Sequence, residues 1–505
     1  MVKETLDAPY SHYLFDADGS QKMDRRTLEE MEIDGFTLME IAGSSAAKKL
    51  LQEEELGHGV YLCGKGNNAG DALVVARYLL QNDIPSTIVF LSGSDDLSPD
   101  TKKNLELLMK FNTNNKLTFF ETWDQFNAPE EFDFIIDGML GTGLTSDIRG
   151  DYTKAVEWTN QQSQPVFAMD IPTGLHADSG KIMGIAIKAN TTFTFGGRKL
   201  GLYLNDGPEK AGTIHFCELP FPNAFKENCN TYLLDESWIQ MEYPTPGQHK
   251  YNSGVLYIIA GSEGLTGAAI MAAQSAWAEG LGAVILICPR GVLSIYEQTL
   301  PSIIKKPVGS RNDFFFSNGH TEQVVKILSE KEGALLLGPG LGREESTVHF
   351  VEELLSQTSS PTVVDADGLW CLAQLDELPK HEQSPWILTP HPGELNHLIQ
   401  PIEPYKESRL NTVRKYAQAT GVTLLAKGMP AIVGTPAGEC YLTNYNTKYF
   451  SRAGSGDVLA GKVSAQLALG HSPAKSCAYG LLKGRQKLEQ FLKHRKGLPE
   501  PSDFI

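Results

Sequence analysis

The chain has 505 residues, 41% of them hydrophobic and 21% charged, which excludes collagen-like, disordered and low-complexity classes and indicates more than one globular domain. A formal charge of −17 argues against general nucleic-acid or anionic-membrane binding, although backbone amides can still hold a phosphate. No apolar run nears the ~18 residues of a transmembrane helix, the N-terminus lacks a basic-then-apolar signal, and seven scattered cysteines form no Cys-x-x-Cys pair. We therefore expect a cytoplasmic chain with reduced thiols, no zinc site and no membrane partner.

In chain order, β-rich runs at Val60–Leu62, Thr87–Leu91, Phe134–Ile136, Val166–Met169 and Thr191–Phe195 alternate with helical stretches. The pattern resumes with Val255–Ile259, Val284–Ile287, Ala334–Leu337, Thr362–Val364, Trp386–Leu388 and Thr423–Ala426. Such alternation predicts α/β layers around mostly parallel sheets. Between the two series, Glu218 to Gly247 is rich in proline and polar residues without a sustained period, and reads as a linker. The expected domains are residues 1–228 and 229–505.

The first chemical signal is Cys63-Gly-Lys-Gly-Asn-Asn-Ala-Gly-Asp-Ala72, between a strand and a helix with an apolar face of Leu73, Ala76, Leu79 and Leu80. Glycine-rich backbone there either makes a tight capped turn or offers free N–H groups to a phosphate. A dinucleotide fingerprint fits poorly, because Ala69 stands at the third glycine and the next strand ends without an acid. The pair Asn67-Asn68 with Asp71 supplies oxygens that a plain turn does not need. Asp137 precedes Gly138-Met-Leu-Gly-Thr-Gly143, and Asp170 precedes Ile-Pro-Thr-Gly174. One acid after a strand is usually a helix cap, but a doubly wound sheet brings Asn68, Asp71, Asp137, Asp170 and Thr173 to one edge, which favours a site.

These motifs, with Leu38-Met-Glu-Ile-Ala-Gly43, resemble in order the NAD(P)H-hydrate epimerase domain over residues 20–215. The resemblance implies a Rossmann-like three-layer fold and a potassium ion with Asn68, Asp137 and Thr173 as ligands. It further implies that Asn67, Asn68, Ala69, Gly70 and Asp71, Gly141, Thr142, Gly143, Leu144, Thr145, Ser146 and Asp147, and Asp170 line the hydrated nucleotide. Ala69 and Ala72 replace two glycines of the family pattern, a penalty wherever φ > 0 or a close approach is required. Epimerising a hydroxyl carbon beside a ring nitrogen needs a proton mover; Asp170 is the candidate catalytic group, though spacing leaves open which acid is the base.

In the second half, Gly261-Ser-Glu-Gly-Leu-Thr-Gly267 leads into a helix over Ala268–Glu279. Gly338-Pro-Gly-Leu-Gly342, Val364-Asp-Ala-Asp-Gly-Leu369, Thr389-Pro-His-Pro-Gly-Glu394, Ala426-Lys-Gly428 and Arg452-Ala-Gly-Ser-Gly-Asp457 follow, the last entering the helical run Val458-Leu-Ala-Gly. The amides of Gly454, Ser455 and Gly456 can stabilise a transferring phosphoryl group, and Asp457 is placed to accept a proton from an attacking hydroxyl. The competing reading is a capped helix with an acid in its first turn. No Walker-type loop is present. His391 beside Glu394 is a candidate substrate contact, and Asp365 and Asp367 are either caps or holders of magnesium-nucleotide.

This set, with His249-Lys250, resembles the ribokinase-like superfamily and, within it, the nucleotide-dependent NAD(P)H-hydrate dehydratases over residues 245–490. The resemblance implies that Ala268, Gly340, His391 and Asp457 contact the hydrate. Lys427, Gly428, Met429, Pro430 and Ala431, with Gly454, Ser455 and Gly456, would contact the adenine nucleotide. Departures are Ala453 for a glycine, Arg452 as an added charge, and Tyr251 for the glycine after His-Lys. The expectation is two three-layer α/β/α domains, Rossmann-like then ribokinase-like, forming a homo-oligomer. It would epimerise R and S hydrates of NADH and NADPH and dehydrate the S form with K+, Mg2+ and ADP or ATP, releasing AMP or ADP and phosphate. The alternative is a ribokinase-like small-molecule kinase beside a non-catalytic first domain.

Overall fold

The computed structural model describes residues 6–53, 56–112, 115–226, 229–239, 254–379, 384–399 and 408–505. His249, Lys250 and Tyr251 lie outside the described residues, as do 227–228 at the expected boundary and 240–247 of the expected linker. The chain divides into two compact units, one of residues 9–229 and one of residues 230–505 with the short segment 6–8. Among the described residues no helix is long and apolar enough to cross a membrane, and the cysteines form no disulfide.

The first unit is built on β1 (Gly59–Cys63), β2 (Ser86–Phe90), β3 (Leu117–Phe120), β4 (Phe134–Gly138), β5 (Val166–Met169), β6 (Thr191–Phe195) and β7 (Thr213–Cys217). They form a seven-stranded parallel sheet of order β3-β2-β1-β4-β5-β6-β7. Successive side chains of a strand point to opposite faces, and here they feed two separate cores. Tyr61, Cys63, Ile88, Phe90, Ile136 and Phe167 pack with helices Gly35–Glu53 and Asn67–Gln81. Val60, Leu62, Val89, Ile135 and Ala168 pack on the other face with Ala155 and Val156 of helix Asp151–Gln161. That is a three-layer sandwich, and it explains the apolar runs Val60–Leu62, Ile88–Leu91 and Phe134–Ile136. Strand order reverses between β1 and β4, where Cys63 pairs with Gly138, so the crevice outside their carboxyl ends is the expected ligand position.

The second unit contains β8 (Thr231–Leu234), β9 (Val255–Ile259), β10 (Ala283–Pro289), β11 (Ile304–Val308), β12 (Ala334–Leu337), β13 (Thr362–Val364), β14 (Trp386–Leu388), β15 (Thr423–Ala426), β16 (Ile432–Gly434) and β17 (Cys440–Thr443). Its ten-stranded sheet runs β8-β17-β16-β15-β14-β13-β12-β9-β10-β11, antiparallel only where β16 meets β15 and β17. Its reversal point is β9 against β12, with Ile259 beside Leu337. Strand β8 corrects the linker reading: it lies within Glu218–Gly247, is buried throughout, and pairs in parallel with β17. The proline-rich flanks hid a four-residue strand whose partner lies far along the sequence.

Three helices of this unit are fastened by one buried acid. Glu279, 5% exposed, ends helix Thr266–Ala278 and takes Lys462 Nζ at 3.1 Å and Gln466 Nε2 at 2.7 Å, both from helix Ser455–Ala468. Lys483 of helix Pro473–His494 pairs with Oε2, the oxygen that also accepts from Gln466, while Lys462 takes Oε1.

Candidate functional site

The first site grows from the β1 loop. Gly66 is extended at the helix N-cap, and Asn67 and Asn68 already form the first turn, so the asparagines are helical rather than in the loop that the sequence suggests. Asn67 is exposed and accepts from Ser98 Oγ at 2.9 Å. Asn68 turns inward: its Nδ2 donates to Leu140 O at 3.2 Å, while its Oδ1 is buried without a hydrogen-bond partner. Gly141 lies against it, since a Cβ there would sit 3.7 Å from the Asn68 Cβ. Asp137, fully buried at the end of β4, accepts from Thr173 N and Oγ1, both at 2.7 Å, and from Met139 N at 3.2 Å. Burial pushes its pKa up to about 6 against those donors. Asn68, Asp137, Thr173 and Leu140 thus converge on the switch point. Farther along the loop, Gly143, Thr145, Ser146 and Asp147 are exposed, with Thr142 and Leu144 half-buried.

A charged cluster adjoins it. Asp170 has a left-handed backbone (φ 60°) and pairs through Oδ1 with Lys199, which also donates to Phe195 O at 2.7 Å. Phe195 N donates to the same carboxylate at 3.1 Å. Asp71, 9% exposed, has its pKa held well above the usual range by burial and by the Asp170 charge, with Lys199 opposing. Lys199 had no motif to announce it; the signal available was a basic residue just after β6, at the same sheet edge as Asp137 and Asp170.

Ala69 and Ala72 carry no backbone penalty. Both lie inside helix Asn67–Gln81, neither has a positive φ, and both are fully buried. A Cβ at Gly138 would lie 2.6 Å from the Ala72 methyl, so this crossing of helix and strand has room for one methyl, and Ala72 supplies it.

The second site is a cavity of about 530 Å³ in the second unit. Asp365, after β13, is 1% exposed and accepts from Lys427 Nζ and Thr389 Oγ1, each at 2.7 Å, while its Oδ2 is buried without a partner. Burial alone would lower the Lys427 pKa; Asp365 and Glu394 outweigh it and raise the net value. Helix Ser455–Ala468 opens on Gly454 in the left-handed region (φ 95°), a conformation that suits glycine and aims the first free amides outward. A Cβ at Gly456 would lie 3.2 Å from Lys427 Nζ, so the helix start faces the ammonium group. Asp457 is in the first turn; burial and then the Asp365 charge raise its pKa to about 7 against the pull of Lys427.

Lys427, Gly428, Met429, Ala431, Gly454, Ser455, Gly456, Asp457 and His391 all line this cavity. Pro430 is not among its lining residues; its carbonyl accepts from Arg409 Nη1 at 2.7 Å. Ala268 and Gly340 meet at the β9/β12 switch point, where a Cβ on Gly340 would lie 3.2 Å from Ala268 Cβ, and they do not line it either. Exposed His391 is clamped by Glu394 (Nε2–Oε1 3.3 Å) and has its pKa lowered by burial and by Lys427. Asp367 pairs with Arg343 at 2.7 Å and accepts from Gly342 N at 3.1 Å, so neither acid after β13 is a helix cap. Arg409, whose Nη2 donates to Ala426 O and Lys427 O at 2.8 Å, stiffens the lysine loop and carries no sequence signature.

Two family models match this chain: one described as YjeF-related protein N-terminus over residues 35–201, the other as NAD(P)H-hydrate dehydratase over residues 256–496. The bifunctional NAD(P)H-hydrate repair enzyme of Salinibacter ruber is 35% identical over 499 residues, covering 94% of this chain and 91% of that protein. The chain belongs to this family. The Moorella thermoacetica relative of the same name is 32% identical over 479 residues, covering 93% of this chain and 90% of its own. Among solved structures, the ADP/ATP-dependent NAD(P)H-hydrate dehydratase of Bacillus subtilis, co-crystallized with ATP/Mg2+, matches with a TM-score of 0.46 at 23% identity, over 54% of this chain and 94% of that chain.

Proposed function

We infer that the chain is a two-step metabolite-repair enzyme. The first unit interconverts the R and S forms of hydrated NADH and NADPH. The second dehydrates the S form at the expense of ADP or ATP. Beside family membership, the observation that carries the reading is Asp457, titrating near neutrality in the first turn of a glycine-started helix that faces Lys427.

In the dehydratase unit the hydrate's hydroxyl oxygen attacks the terminal phosphorus of the nucleotide. Asp457 takes its proton, the new P–O bond replaces the bridging one, and AMP or ADP leaves. The amides of Gly454 to Gly456 and the Lys427 ammonium stabilise charge on the phosphoryl oxygens. The phosphorylated oxygen is then a good leaving group: the ring nitrogen's lone pair expels phosphate, and loss of the neighbouring carbon's proton restores the double bond. Met429 and Ala431 flank the nucleotide and His391 the hydrate. Magnesium entering with the nucleotide would find the free Asp365 Oδ2, which suits a hard cation, and would supply charge neutralisation at the phosphates.

In the epimerase unit Asp170, held by Lys199, moves the proton while the hydroxyl-bearing carbon is opened and remade. Potassium fits the loop of Asn68, Asp137, Thr173 and Leu140: every donor is oxygen, one carboxylate is present, and Asn68 Oδ1 is buried without a partner. Bound there, the ion would supply a fixed positive charge beside the substrate.

The test is absorbance at 340 nm on an R/S mixture of hydrated NADH with magnesium and potassium, adding ADP or ATP. Complete recovery is expected. A stop after the S fraction, corrected for slow spontaneous epimerisation, would leave the first unit without catalysis. Accumulation of a phosphorylated product without NADH would make the second unit a kinase.

A further inference from the structure

Beyond Lys427 and the anion-binding helix start, the cavity wall changes chemistry. Tyr445, Phe450 and Phe504 line it. The Phe450 and Phe504 rings lie 4.5 Å apart, tilted by 32°, and Tyr445 meets Phe450 edge-on at 6.1 Å. Phe450 is half-buried whereas Phe504 is 2% exposed, so Phe450 is the open ring and Phe504 backs it. Such a ring surface suits the flat face of a base, while Lys448, Arg452 and Lys462 line other parts of the same cavity.

Phe504 comes from a separate piece of chain, the short turn Pro501–Phe504, which is fastened on several sides. Arg452 Nη1 donates to Pro499 O at 3.0 Å, and Arg495 pairs with Asp503 at 3.0 Å. Glu500 N donates to the second Asp503 oxygen at 2.7 Å and closes the turn. The same turn abuts the anion loop: a Cβ at Gly454 would lie 3.3 Å from Pro501 Cγ. Arg452, the added charge beside the glycine run, therefore spends its guanidinium on this turn.

We propose that residues 499–504 are a strap that sets the base-binding wall of the nucleotide site. Phe450 is the ring on which the purine lies, Phe504 is the positioning residue beneath it, and Arg452 ties the strap to the anion loop. The proposal rests on reading this cavity as the ADP/ATP site. The strap lets a segment remote in sequence fix nucleotide affinity without touching the reacting phosphate.

The experiment uses the full chain and measures KM for ADP and for ATP, kcat at saturating nucleotide, KM for the S hydrate, and the inhibition constant of inorganic tripolyphosphate, which has phosphates but no base. Phe504→Ala should raise nucleotide KM about tenfold, within the range of base–aromatic contacts, and leave kcat, hydrate KM and tripolyphosphate inhibition within about twofold. Phe504→Leu should recover most of the loss. Arg452→Ala, at an exposed position, should shift nucleotide KM the same way by about three- to fivefold, the weight of one hydrogen bond, and it carries the test should Phe504→Ala fail to fold. Unchanged nucleotide KM in folded Phe504→Ala and in Arg452→Ala overturns the strap. So does tripolyphosphate inhibition moving in step with nucleotide KM, because the disturbance would then lie in the anion loop. Turnover by the wild type without any nucleotide overturns the underlying site reading, and is seen before any variant is made.

Discussion

Replacing Asp457 by Asn separates what this residue does for the reaction from what it does to the fold. Its pKa rises from an ordinary 3.8 to about 7, and each unit corresponds to about 1.4 kcal/mol, so the folded protein disfavours the carboxylate by ~4 kcal/mol at most. Partial contact with solvent reduces this to ~2 kcal/mol. The sign follows from proton counts. Between pH 4 and pH 7 the native state binds more protons at this site than the unfolded chain does, so stability falls as pH rises, and the full penalty is present above pH 7. Asn has the same shape and no charge. Asp457→Asn should therefore be more stable than the wild type by roughly 2 kcal/mol at pH 8 and nearly equal to it at pH 4. It should lose ~10²- to 10⁴-fold in dehydration rate, the worth of a general base. Urea unfolding followed by tryptophan fluorescence reads both units, with Trp123 and Trp158 in the first and Trp386, fully buried in β14, among those of the second; the transition that moves in the variant is the second unit's. In the wild type, kcat/KM for dehydration should rise about tenfold between pH 6 and pH 8, as the carboxylate fraction does, with an apparent pKa shared with the neighbouring acids. A wild-type rate flat over that range, together with a variant no more stable at pH 8 than at pH 4 relative to the wild type, would refute the reasoning.

Asp170→Ala should reduce R-to-S conversion by ~10²-fold or more, measured by chromatography of the two hydrates, while dehydration of purified S hydrate stays at the wild-type rate. Replacing potassium by tetramethylammonium should slow epimerisation. Asn68→Ala should abolish the difference between the two salts; retention of a full potassium response would remove Asn68 from the ion's shell. Glu279→Ala removes the acid that pairs with Lys462 and Lys483, and should destabilise the second unit by about 3–5 kcal/mol in urea titration. Glu279→Gln should recover part of that loss.

The interior of both sheets was legible because a strand covered on both faces must be apolar throughout: β1, β5, β9, β12 and β14 announce themselves in this way. The edges were not. Strand β11 reads Ile-Lys-Lys-Pro-Val, and its charges and proline protect an open edge while erasing the strand signal. Strand β3 is likewise an edge, in the first sheet, largely half-buried, and was equally silent. Residues next to glycine-rich loops could be placed at the sheet edges from sequence, because such loops follow strand ends. Lys199, Arg409, Phe450 and Phe504 could not. Their work depends on chain segments brought together only by the fold, and nothing in their local sequence distinguishes them from ordinary surface or core residues.

The contact between Ala72 and Gly138 changes how a signature of this kind should be scored. The helix after β1 and the end of β4 pass so closely that one methyl fits between them, and Ala72 provides it while Gly138 leaves the space. What the crossing holds is a volume shared by two positions about sixty-six residues apart. A pattern that demands glycine at position 72 marks this chain down for a substitution that its own Gly138 already accommodates. Ala72→Gly would then open a small void, and Gly138→Ala alone would force the layers apart; the double exchange would relieve the contact with Ala72 but still set the new methyl 3.0 Å from Asn68 O. Motif positions that look independent along the chain are here coupled by contact.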